Sequence, residues 1–259
     1  MPRDRGLLKF RRMMNKALLL AALFTLPLGV SAATLRDGDV PWFMRRQDSS
    51  NQAPDPAATS EAVIQVYAAR AVGWRGVFAV HTWITVKPAG APRFTRYEVI
   101  GFGVQNGLPA IRVDRMGPDN YWFGARPTLL LDRRGPGVDE LIGKVQAAIK
   151  SYPWPDAYTT WPGPNSNTFT AWIARQVPEL RLSLPSTAIG KDYLGMVPVA
   201  RAASGTGVQV SLLGVAGATV AVDEGIEVNV LGLVIGLDLK APALLLPGIG
   251  RIGVSRPVD

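Results

Sequence analysis

Gly76-Val77-Phe78-Ala79-Val80-His81-Thr82-Trp83-Ile84-Thr85-Val86-Lys87, the turn Pro88-Ala89-Gly90-Ala91-Pro92, and Arg93-Phe94-Thr95-Arg96-Tyr97-Glu98-Val99-Ile100-Gly101-Phe102-Gly103-Val104 form the stretch on which the fold turns. Both arms are rich in Val, Ile, Thr and aromatic residues. Both alternate in polarity, and a Pro/Gly turn separates them. That pattern predicts an antiparallel hairpin of strands 76–87 and 93–104.

Outward from the hairpin, residues 61–72 read as a short helix and 108–115 as a third strand. Tyr121-Trp122-Phe123 falls in or beside another short strand. Gly135-Pro136-Gly137 opens a helix that carries Asp139 and Glu140 in its first turn and Lys150 in its last, which suits the helix dipole. Leu141, Ile142, Val145 and Ile149 make its apolar stripe, and Pro153 ends it. After an aromatic loop, a second helix is expected from about Thr168 to Val177.

Residues 203–222 hold no charge and several glycines, and Asp223-Glu224-Gly225 follows as an acidic turn. This reads as a glycine-rich β hairpin. A membrane span is the rival, because twenty uncharged residues are long enough to cross a bilayer. Gln209 and the glycines weigh against it. The fold class expected is α+β over residues 61–259: a mostly antiparallel sheet with packed helices and a C-terminal Gly-rich β extension. Residues 33–60 are polar, contain Pro54 and Pro56, and read as a linker or a surface arm.

The N-terminus has a different character. Arg11, Arg12 and Lys16 precede an apolar run from Ala17 to Val30, and Val30-Ser31-Ala32 offers small residues for cleavage. That order predicts an exported chain with residues 1–32 as a signal peptide, working in the periplasm or cell envelope. An uncleaved anchor is the alternative. The first 32 residues also hold six basic side chains against Asp4. The rest therefore carries 22 basic and 19 acidic residues, or +3, against +8 for the whole chain. No basic run remains to track a phosphate backbone, so no nucleic-acid partner is expected.

The chain has no cysteine and one histidine. This excludes disulfides, thiolate metal sites and zinc sites built on several histidines. Gly248-Ile249-Gly250-Arg251-Ile252-Gly253 fits G-x-G-x-x-G on paper, but the chain ends six residues later, without room for the helix that motif needs. There is no P-loop and no HExxH. No cofactor and no metal are expected.

The histidine, His81, lies mid-strand. Ser166 stands where Trp161-Pro162-Gly163-Pro164-Asn165-Ser166-Asn167-Thr168-Phe169 enters a helix. A serine at a helix N-terminus beside a strand-borne histidine has the elements of a nucleophile, a base and an oxyanion hole. Glu98 on the neighbouring strand would orient the imidazole, if the register allows.

His81-Thr82-Trp83-Ile84, residues 96–101, the 161–169 run and Thr187-Ala188-Ile189-Gly190-Lys191-Asp192-Tyr193 together resemble a family of exported bacterial proteins of unknown function. The resemblance covers about residues 61–253. More distantly, a His on a hairpin strand followed by Asn-nucleophile-Asn-x-Phe is similar to the circularly permuted papain-like (NlpC-like) superfamily. That likeness implies a papain-like core with His81 as base, Ser166 as nucleophile and an amide or ester of peptidoglycan or lipid as substrate. Trp83, Tyr97, Trp161, Asn165 and Asn167 would line the groove. The departure is Ser where the superfamily has Cys, and a hydroxyl needs stronger activation than a thiol.

Plainer readings stand beside these. Asn165, Ser166 and Asn167 are good helix N-caps. His81 fits a core histidine with a partner, and the aromatics fit core and loop packing. Lys191-Asp192-Tyr193 reads as a solvated loop. The second functional expectation is thus a non-catalytic binding or structural envelope protein, with a membrane-associated protein whose residues 203–239 face lipid as a further alternative.

Overall fold

The computed structural model describes residues 3–35 and 40–258. Residues 36–39 of the expected arm lie outside the described residues. The first helix, α1, runs Arg3–Thr34 with Pro27 inside it. Its stretch Lys9–Thr34 is long and apolar enough to cross a membrane.

The body is built on two antiparallel sheets. The first has five strands: β1 (Val63–Arg70), β2 (Val80–Lys87), β3 (Thr95–Val99), β4 (Ile111–Val113) and β5 (Thr128–Arg134), in the order β4-β3-β2-β1-β5. The expected hairpin is present as β2–β3, with Ile84 opposite Tyr97, but both strands are shorter than expected: Gly76 and Val77 fall in a 3-10 turn and Val104 opens another. The expected helix at 61–72 is absent. That segment is β1, the central strand, paired with both β2 and β5. Ile64 and Val66 join one apolar cluster while Tyr67 and Ala69 join another, so both faces of the strand are buried. A strand covered on both sides need not show a polar stripe. Tyr121-Trp122-Phe123 is not in a strand; Trp122 makes only an isolated bridge to Ala125.

Helices α2 (Val138–Lys150) and α3 (Ser166–Gln176) cover one face. Phe169, Ala171, Ile173, Ile142 and Val145 interleave there with Ile64, Val66, Ile84 and Val86 in the main core. The opposite face carries Tyr67, Ala69, His81 and Trp83 and is closed by the loop bearing Trp122. The arm is packed, not free. The Asp119 carboxylate accepts from Ser49 Oγ at 2.8 Å and from the Gln52 amide at 2.6 Å, which staples it to that loop.

The C-terminal extension is larger than one hairpin. It is a seven-stranded meander of β6 (Val199–Arg201), β7 (Gly207–Leu212), β8 (Ala216–Ala221), β9 (Gly225–Val230), β10 (Leu233–Asp238), β11 (Ala243–Leu246) and β12 (Gly250–Gly253). Its alternation is inverted with respect to a soluble sheet. Gln209, Ser211, Thr219, Glu227 and Asn229 point inward and are buried, while Val208, Val210, Val220, Ile226 and Val228 point to the outside. The register sets these outward residues in rows. Val208 faces Val220, Val220 faces Ile226, Ile226 faces Leu237, and Leu237 faces Leu244.

Residues 191–193 are not a solvated loop. Lys191 and Asp192 are buried and plug the meander's inner face. Lys191 Nζ donates to Asp192 Oδ1 at 2.8 Å and to Glu227 Oε2 at 2.6 Å. Asn229 Nδ2 donates to Asp192 Oδ2 at 2.8 Å, and Gln209 Nε2 donates to Asp192 Oδ1. Burial alone would lower the Lys191 ammonium; the adjacent Asp192 and Glu227 carboxylates override it and hold the ammonium charged well above its ordinary value.

Candidate functional site

Strand parity decides which expected site residues meet. In β2, successive side chains point to opposite faces. Thr82 points at α3. Its Oγ1 donates to Asn167 Oδ1 at 3.0 Å and lies 3.3 Å from the Ser166 carbonyl oxygen. His81 therefore points away from α3. Its ring stacks on Trp122 with centroids 3.8 Å apart and an interplanar angle of 11°.

On that second face His81 meets Glu98. His81 Nε2 lies 2.8 Å from Glu98 Oε2, and Arg96 Nη2 donates to the same oxygen at 2.7 Å. The guanidinium lies 4.1 Å from the centroid of the Trp83 ring. All three polar side chains are at least nine-tenths buried. Burial pushes the His81 imidazole below its ordinary value, in spite of Glu98. Burial would raise the Glu98 carboxyl, but the Arg96 charge and the hydrogen bonds from His81 and Arg96 outweigh it and hold it at about 2. The cluster is thus a neutral imidazole on an ionised Glu98–Arg96 pair.

Ser166 is not brought to this cluster. It is the first residue of α3, 4% exposed, on the other side of the sheet. The proline loop before it is tied down by Asn165. Asn165 Oδ1 accepts from the amides of Asn167 and Thr168 at 3.0 and 3.2 Å, and Thr168 Oγ1 closes a capping box on the Asn165 amide. Asn165 Nδ2 donates to the carbonyls of Thr160 and Ile189, both at 3.1 Å. Asn167 Nδ2 donates to Val80 and Ile189 carbonyls at 2.9 and 2.8 Å. Asn165 and Asn167 cap and dock the helix, as the plainer reading expects.

The expected groove does not form either. Trp83 is fully buried, on the face away from α3, and its Nε1 donates to Pro118 O at 2.7 Å. Tyr97 packs against the main core, on the face opposite Glu98. Trp161 is half exposed, and its Nε1 donates to Leu231 O on the β9–β10 turn. These five residues point to different places because strand parity and the cap geometry divide them.

A cleft of about 680 Å³ lies instead between α2, α3 and residues 193–201, where Trp154, Trp172 and Tyr193 line it beside Lys144, Arg175 and Glu179. Of its lining, Trp154 stood out in the sequence, in the aromatic loop; the cleft as a whole did not, since its walls come from three separate segments. Among the described residues no three His, Asp or Glu side chains gather into a cluster able to hold a metal ion.

A family model described as a protein of unknown function matches residues 61–193, just over half of the chain. The matched span runs from the edge of β1 to the Lys191–Asp192 plug and stops before the meander. No curated protein and no solved structure matches the chain.

Proposed function

We propose that this chain, which belongs to the DUF3750 family of unknown function, is a non-catalytic envelope protein held at a membrane by α1. The observation that carries the first half is the opposed placement of His81 and Ser166. A general base must come within hydrogen-bond reach of the proton it takes, directly or through one water. Here the first sheet stands between the two, and the imidazole is engaged by Glu98 and stacked on Trp122. A serine without a base is a weak nucleophile. The hydrolase reading would require His81 to cross the sheet and leave a buried ion pair behind.

The second half rests on the end of α1. The small residues expected to mark a cleavage site lie in its last two turns, and Ser31 is 1% exposed. Ser31 Oγ donates to Val77 O at 2.7 Å, and Arg70 Nη1 donates to Ser31 Oγ at 2.9 Å. Val30 and Ala32 on either side of it are exposed, but the segment is helical and pinned through Ser31, and nicking concentrates at exposed loop tips. This favours the anchor over the cleaved leader.

Two measurements test the reading. A fluorophosphonate probe on the purified full chain is expected to leave it unlabelled; labelling that is lost in Ser166→Ala would restore the enzyme reading. N-terminal sequencing of the protein from membranes is expected to find a chain that begins ahead of Arg3 and keeps α1 whole. A chain beginning near Ala33 in the soluble fraction would overturn the anchor.

A further inference from the structure

The meander is turned inside out with respect to water. Its polar side chains face the body, where Lys191 and Asp192 satisfy them, and its aliphatic side chains face outward. Val210, Val220, Ile226, Val228, Leu237 and Leu244 are each between 45 and 62% exposed. Seven strands at about 4.8 Å spacing, up to six residues long at about 3.4 Å each, span roughly 30 Å by 15–20 Å, on the order of 500 Å². That is at the upper end of the roughly 300–600 Å² of the largest apolar patch on an ordinary monomer. Leaving such a face in water would forgo the favourable transfer of its apolar surface.

We infer that this outward face rests on the acyl boundary of the bilayer, as a second, flat contact beside α1. The inference builds on the reading of α1 as a retained anchor. Four observations favour lipid over a protein partner. The α1 end is docked to this same sheet, since Ser31 Oγ also lies 3.1 Å from Gly248 O in the β11–β12 turn. A spanning α1 would therefore hold the sheet beside the membrane. The outward rows of β7–β12 carry no charged side chain, and Arg201 stands only at the β6 edge. The same rows carry no aromatic residue, whereas protein interfaces concentrate Tyr, Trp and Arg at their cores. A lipid surface asks only for aliphatic area. Trp161, half exposed at the β9–β10 turn, is placed as such residues are at the headgroup level.

The chain has no cysteine, so single-cysteine variants can be spin-labelled without background. Val210→Cys and Val228→Cys report the face, Leu23→Cys reports α1, and Lys144→Cys on α2 reports the water side. Each full-length variant is reconstituted in vesicles of phosphatidylethanolamine and phosphatidylglycerol. Relaxation by molecular oxygen is compared with relaxation by a water-soluble nickel chelate. Oxygen is expected to dominate at 23, 210 and 228, and nickel at 144. If 210 and 228 follow 144 while 23 keeps its lipid signature, the sheet contact is overturned and the anchor stands. If 23 also reads aqueous, the anchor falls separately. Spin–spin broadening at 210 and 228 that disappears on dilution with unlabelled chain would assign the face to a second copy and overturn the lipid contact.

Discussion

Glu98 is the residue on which the second face of the first sheet depends. It holds Arg96 and His81 at one oxygen, at 2.7 and 2.8 Å. Its ordinary value of 4.5 falls to about 2, so its contribution is complete above pH 4.5 and is lost as pH falls from there toward 2. His81 acts in the same direction over a higher window. Its folded value lies below the ordinary 6.5, so below pH 6.5 the unfolded chain takes up a proton that the folded chain resists. Stability to urea is therefore expected to decline below pH 6.5 through His81 and again below pH 4.5 through Glu98; a flat profile from pH 7 to pH 4.5 would remove His81 from the account, and a flat profile from there toward pH 2 would remove Glu98. Glu98→Gln leaves a buried guanidinium without its counter-charge and is expected to cost about 3–5 kcal/mol. Nothing in the sequence marked Arg96 as the third member, since its partnership with Glu98 two residues on depends on both lying on one strand face.

At the scale of elements, the hairpin 76–104 was legible because its alternation and its Pro/Gly turn agree. So was α2, because its stripe, its acidic first turn and Pro153 agree. β1 was not, because Glu61, Gln65 and the Ala68–Ala69 pair weigh toward helix while burial on both faces removes the polar stripe that would signal a strand. β5 was missed for a related reason: Leu129-Leu130-Leu131 does not alternate. The candidate site failed on a single bit of information, which face of β2 receives α3. Residues 81 and 82 differ by one position, and it is Thr82 that meets the helix. The α3 cap also depends on Gly190. Its φ is +97°, and an added Cβ would collide with Asn165 Nδ2. Gly190→Ala is expected to disrupt the cap and lower the melting temperature by more than Asn165→Ala, which loses a cap typically worth about 0.5–2 kcal/mol. Equal losses would mean that the glycine adds no separate constraint.

For the whole molecule, the family match ends where the first sheet hands over to the meander, and the hand-over is made of charge. Asp192 accepts from Lys191, Gln209 and Asn229, which ties the end of the matched region to β7 and β9. Lys191→Met leaves Glu227 and Asp192 buried without their cation, and a loss of about 3–5 kcal/mol is expected from denaturant titration. A change under about 1 kcal/mol would mean that water reaches the pair and screens it. The joint has a calorimetric consequence. Segment 191–193 cannot leave the meander without stranding ions in a dry seam, and the Val80 amide holds the Thr187 carbonyl just before it, so the first sheet and the meander are expected to melt together. Heating the full chain in detergent should give one endotherm for both sheets, with the calorimetric enthalpy matching the van't Hoff value. Lys191→Met should split that peak in two.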